Sequence, residues 1–155
     1  MPQSWKGVIA GLIATIVISI VMVLMDNAGV PHQYNIVTLI DNLGSIGRGG
    51  AWADHFIVGA LLWGPIFAGF DASTPKAPLW LKGLIFSVGA WVAMMVIFMP
   101  VVGMGLFGAS LGIMGPVVML ILHLIYGAVM GLSYGLIGAW LPEKKPAATP
   151  PIPKR

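Results

Sequence analysis

The stretch His123-Leu-Ile-Tyr-Gly127-Ala-Val-Met-Gly131-Leu-Ser-Tyr-Gly135 lies inside an apolar run, residues 116–141, that contains no Asp, Glu, Lys or Arg. At about 1.5 Å per residue such a run is longer than the roughly 30 Å hydrocarbon core of a bilayer, so it reads as a membrane-crossing helix. An ionisable ring is costly in lipid unless something satisfies it. His123 is therefore a site candidate whose partner has to be found elsewhere in the chain. The glycines that begin one turn later recur every fourth residue and let a neighbouring backbone come close.

The rest of the chain has the same character. Of 155 residues, 58% are hydrophobic and 8% are charged, and the mean hydropathy is +0.94. Soluble domains do not have this composition, which describes a small polytopic membrane protein with no room for a second, soluble domain. The absence of cysteine excludes disulfides, thiolate metal sites and cysteine nucleophiles. A net charge of +3 gives no reason to expect nucleic acid as a partner.

Four spans are expected, over residues 7–25, 52–70, 83–99 and 116–141. In the first, Gly7, Gly11, Thr15 and Ser19 put small residues on one face. The connection after it carries Ile36, Leu39, Ile40 and Leu43 at helical spacing, which predicts a short helix lying in the membrane interface. Residues 44–50, with four glycines and Arg48, read as a flexible turn into the second span. Trp63-Gly64-Pro65 predicts a kink within that span. Residues 100–115 are too rich in glycine for a regular helix and too apolar for a solvated loop, so they read as a re-entrant or interfacial segment. Residues 142–155, with five prolines and several cations, read as an extended, disordered basic tail.

With four spans, Lys6, Lys76, Lys82, Lys144, Lys145, Lys154 and Arg155 share one side, and Arg48 stands on the other. This imbalance predicts that both termini are cytoplasmic. Asp26, Asp41 and Asp54 then face outward at or beyond span ends, where they are expected to be solvated. Asp54 beside His55 is expected to form a proton-sensitive pair there.

The two halves echo each other. Lys6-Gly7 and Lys82-Gly83 each open a pair of spans, and His55-Phe-Ile-Val-Gly59-Ala matches His123-Leu-Ile-Tyr-Gly127-Ala. The expected fold is an all-α integral membrane four-helix bundle built by tandem duplication of a two-span unit. The units are related by a pseudo-two-fold axis along the membrane normal, with His55 and His123 at similar depth.

Trp5-Lys6-Gly7, His55-Phe56 with Trp63-Gly64-Pro65, Met94-Met95 with Met99-Pro100, and His123 to Gly127 together resemble an uncharacterised prokaryotic family of small four-span membrane proteins, a domain of unknown function. The resemblance covers most of residues 5–141 and implies membrane location and span count. Some relatives accompany respiratory oxidases, which implies a complex subunit.

Three chemistries fit the unusual residues. Haem b could use His55 and His123 as axial ligands, with Gly59 and Gly127 one turn on making room for the macrocycle. Copper(I) could use Met119, four residues before His123 on the same face, together with His123 and His55, since thioether and imidazole suit that ion. The simpler alternative, taken as the default, is that each imidazole bonds water, a carbonyl or a neighbouring helix while the glycines serve packing and the methionines fill gaps. No hydrolytic triad, metalloprotease motif or phosphate loop is visible. The leading functional expectation is a non-catalytic accessory subunit of a larger membrane complex, respiratory in kind. Its partners would be the lipid bilayer and other membrane subunits, or further copies of itself. A haem b or copper protein comes second and a small channel or carrier third.

Overall fold

A computed structural model describes residues 3–43, 46–74 and 76–141; the tail expected over residues 142–155 lies outside them. Four helices are long and apolar enough to cross a membrane: α1 (Gln3–Asn27), α3 (Gly47–Ser73), α4 (Leu79–Val101) and α5 (Met114–Trp140). The short α2 (Ile36–Asn42) lies between α1 and α3. Each span is a helix because lipid offers its peptide groups no partners, so every N–H and C=O must bond within the segment.

The helices reach further than the hydropathy runs. Gly47–Gly50, expected as a turn, is the first turn of α3. Residues 102–113, between α4 and α5, form a compact connection of tight turns, with Gly103, Gly105, Gly108 and Gly112 at positive φ. Leu111 is buried there beside Leu39, Met95, Met99 and Met119. Phe107 adopts φ 53°, an uncommon angle for a side-chain-bearing residue, and its ring packs edge-on against Trp91 at 5.9 Å.

In space the spans run in the order α3, α1, α5, α4, with α3 and α4 meeting chiefly in the halves nearest the termini. That terminal half has an aromatic core. Phe67 is fully buried, with Phe86 and Tyr134 edge-on to it, each at 5.4 Å between ring centres. Lys82 Nζ lies 2.7 Å from Asp71 Oδ1 and also donates to the Asp71 carbonyl, joining the end of α3 to the start of α4. The other half is capped by α2. Asn35 Oδ1 accepts from Val37 N–H at the α2 N-terminus, and Asn35 Nδ2 donates to Asp26 Oδ2 at 2.9 Å. His32 Nδ1 lies 3.1 Å from Asp26 Oδ1. Asp26, expected to be solvated, is therefore the post to which the cap is tied. The buried side of α2 is Val37, Leu39 and Ile40; Leu43, expected on that face, is exposed. The single turn His32–Tyr34 leads into α2 through Asn35.

Two crossings are made backbone to backbone. A methyl group on Gly83 would strike the Gly127 carbonyl, one on Gly127 would strike Ser87, and one on Gly59 would strike Thr15. A Cβ on Gly11 would come within 2.7 Å of the Gly59 carbonyl oxygen. Matched on these contacts, Gly11 answers to Gly83 and Thr15 to Ser87. That register is one helical turn away from the one in which Lys6-Gly7 answers to Lys82-Gly83. Gly59 and Gly64 stand five residues apart where Gly127 and Gly131 stand four, because α3 widens to a π-helix over Ile57–Trp63.

Proline explains the widening. Pro65 lacks an N–H, and its ring crowds the carbonyl four residues earlier, that of Leu61. A π turn there absorbs the conflict. In α4 the same arrangement recurs, with a π segment over Met94–Phe98 before Pro100. The break expected at Trp63-Gly64-Pro65 thus takes the form of an inserted residue within a continuous helix.

Candidate functional site: an intramembrane cavity

Between the capped-end halves of the spans lies a cavity of about 570 Å³, with walls from α1, α3, α4 and α5 and a roof from Tyr34 and α2. Both His55 and His123 line it. They stand eight and nine residues into α3 and α5, about 12 and 14 Å along each helix from its start at the helical rise.

His55 is positioned by its neighbours. Trp52 and Phe56 meet the imidazole edge-on, with ring centres 5.9 and 5.8 Å away. Its Nε2 is buried and has no hydrogen-bond partner among the described residues. A buried polar atom left in that state costs about 1–3 kcal/mol. His123 is held differently: its Nδ1 lies 2.7 Å from the Met119 carbonyl oxygen, one turn back on α5. A carbonyl only accepts, so Nδ1 carries the proton and donates it. In the neutral ring Nε2 is then an unprotonated acceptor.

The other polar groups of the wall are Thr15, Tyr34, Asp54, Trp63 and Tyr126. Two of their hydroxyls are already committed. Thr15 Oγ1 donates to the Gly11 carbonyl at 2.7 Å, and Tyr126 Oη donates to the Gly59 carbonyl at 2.6 Å. Among the described residues no lysine or arginine lines the cavity.

Of the two glycines one turn beyond the histidines, Gly59 borders the cavity while Gly127 is turned onto α4 and packed against Gly83 and Ser87. Met119 is buried in the methionine cluster and also reaches the cavity wall. Among the described residues no group of three or more His, Asp or Glu side chains gathers as a metal cage. A macrocycle such as haem b would find two imidazoles and the small Gly59, but its two carboxylates would find no cation in the wall. Tyr126 was not singled out from the sequence, although its place three residues after His123 puts it near the same helical face.

Residues 1–141 match the model of a family of unknown function, DUF6789. No curated protein matches the chain, and no solved structure does.

Proposed function

Because the chain belongs to DUF6789, whose function is unknown, we propose its role from the cavity: it is a multi-pass membrane protein that binds a lipid-soluble small molecule inside its bundle, with His55 and His123 as the polar contacts. The observation that carries this reading is that both imidazoles line one chamber of about 570 Å³. That volume is within the roughly 300–1,000 Å³ of small-molecule sites, which are also mostly apolar with a few convergent polar groups. Ala93, on the cavity wall, supplies the test. Organic extraction of the purified protein followed by mass spectrometry should yield one compound near stoichiometry, and Ala93→Phe, which sets a ring into the chamber beside the histidine walls, should lose it. Equal yields from both proteins would sink the proposal.

A second reading puts haem b or copper on these rings. It is favoured by the tautomer of His123, because a ligating imidazole commonly donates its other N–H to a carbonyl. A Soret band, or bound copper that Met119→Leu or His123→Ala releases, would support it. A colourless preparation free of copper would reject it.

In its setting we propose a non-catalytic accessory subunit of a larger membrane complex, respiratory in kind. The support is Gly69 and Gly89, helix-surface glycines with open space beside them, where another helix could approach closely. Recovery of larger subunits with the chain after gentle detergent extraction checks this. We place both termini in the cytoplasm of a prokaryotic inner membrane, on the seven-to-one division of basic residues.

A further inference from the structure

The hydrogen-bonding state of the cavity wall says what kind of molecule completes it. At the depth of the two histidines the wall presents acceptors. His123 Nε2 is one, because its Nδ1 proton is given to the Met119 carbonyl. Asp54, beside His55, also lines the cavity and carries a carboxylate. The hydroxyls of Tyr126 and Thr15, which could have supplied donors at this level, are spent on the Gly59 and Gly11 carbonyls. His55 Nε2 is buried with its capacity unused. Among the described residues the lining holds no lysine or arginine for an anionic headgroup or a carboxylate; away from the histidines the Tyr34 hydroxyl and the Trp63 N–H are donors that a ligand oxygen can use, and the rest of the surface is aliphatic and aromatic. A ligand that leaves these acceptors empty would keep the desolvation cost of each.

We infer that the ligand is an uncharged, membrane-soluble molecule that donates O–H groups, a phenol or hydroquinone bearing an apolar tail. This rests on the proposed ligand-binding role of the cavity and narrows it to one chemical class. A hydroxyl donates to His123 Nε2, and the His55 ring borders the ligand from the α3 side. The ring lies against Gly59, Ala90 and Ala93, the smallest residues of the lining. The tail leaves through the gap between the capped-end halves of α3 and α4, the pair of spans that diverge there.

The test is calorimetric titration of the full chain in lipid nanodiscs under argon, with empty nanodiscs subtracted. The probes are 2,3,5,6-tetramethylhydroquinone and its dimethyl ether, which has nearly the same shape and no O–H. The hydroquinone should bind saturably and at least tenfold tighter than the ether. His123→Leu should remove that preference, and Ala93→Phe should abolish binding of both. Equal binding of the two probes, both blocked by Ala93→Phe, overturns the hydroxyl-donor assignment and leaves the cavity reading standing. Binding that Ala93→Phe does not affect overturns both. A His123→Leu protein that keeps the tenfold preference also overturns the assignment, provided its circular dichroism matches that of the parent.

Discussion

The Tyr126 hydroxyl donates a 2.6 Å hydrogen bond to the Gly59 carbonyl oxygen, tying α5 to α3 across the bundle. The acceptor lies inside the π segment Ile57–Trp63, where the helix's own hydrogen-bond ladder is shifted by one residue. The bond therefore anchors the part of α3 that shapes the cavity. Tyr126→Phe keeps the ring and removes only the donor. Interhelical bonds of this kind in membrane proteins are worth about 0.6 kcal/mol on average and up to about 1.7. Because this one is buried at both ends, a loss near the upper figure is expected, read as a lowered unfolding midpoint in mixed detergent micelles.

Glycine substitutions should separate into two classes according to what a Cβ meets. Gly127→Ala sets a methyl group against the Gly83 carbonyl and the Ser87 side chain, and overpacking of this kind costs about 1–3 kcal/mol. At Gly89, in the same pair of helices, a methyl group meets nothing within 4 Å. Alanine there should be neutral or stabilising by up to about 1 kcal/mol, from helix propensity alone. Unfolding midpoints of the two variants in one detergent system check the contrast, and equal effects would mean that the α4–α5 crossing is not backbone to backbone.

The sequence carries the spans plainly, since each is a predominantly apolar run, long enough to cross a bilayer, that a helix satisfies in lipid. Its shared His-x-x-x-Gly spacing also marks His55 and His123 as counterparts, and both line the cavity. The register of the two halves is another matter. The extra residue in the π turn before Pro65 shifts everything after Gly59 by one position, and a simple repeat comparison matches the Lys-Gly pairs instead. Nor does periodicity show which way a helix is rotated when all its sides are apolar. That is why Gly59 and Gly127 look equivalent in sequence, yet one borders the cavity and the other packs against α4. The tie from Asp26 to Asn35 and His32 is set by the path of a loop, where no periodic signal exists.

Asn35 does two things at once, capping α2 through Val37 N–H and holding Asp26. Asn35→Ala should loosen the cap selectively. Loss of a helix cap costs about 0.5–2 kcal/mol, and here it falls on a helix of only seven residues. Amide exchange over Ile36–Asn42 should quicken by tenfold or more while the centre of α5 is unchanged. Uniform quickening across both would show that α2 does not open as a unit.

The Asp71–Lys82 pair tests how charge is held at the terminal end of the bundle. The Lys82 side chain is only 8% exposed and that of Asp71 24%, so removing the acid strands a cation that is nearly out of water. Asp71→Ala should cost about 2 kcal/mol, below the 3–5 of fully buried pairs because water still reaches this end. Replacing both, with Lys82→Met beside Asp71→Ala, should recover at least half of that loss, since methionine fills much of the same volume without a charge. If the double variant is no more stable than Asp71→Ala alone, the ammonium is not desolvated and the pair is an ordinary surface contact.

The chain contains no cysteine, so its orientation can be read with single reporters on a clean background. Gly49 and Ala77 are exposed at opposite ends of the bundle, on the Arg48 side and in the loop between α3 and α4. Gly49→Cys meets no neighbour within 4 Å, and neither position contributes to the buried core. If the seven cations sharing one side fix the termini in the cytoplasm, a membrane-impermeant maleimide added to intact cells will label position 49. Position 77 will be labelled only after the membrane is opened. The reverse pattern would put the cavity in the cytoplasmic half of the bilayer. Labelling of both positions in intact cells would mean that the charge imbalance does not set a single topology.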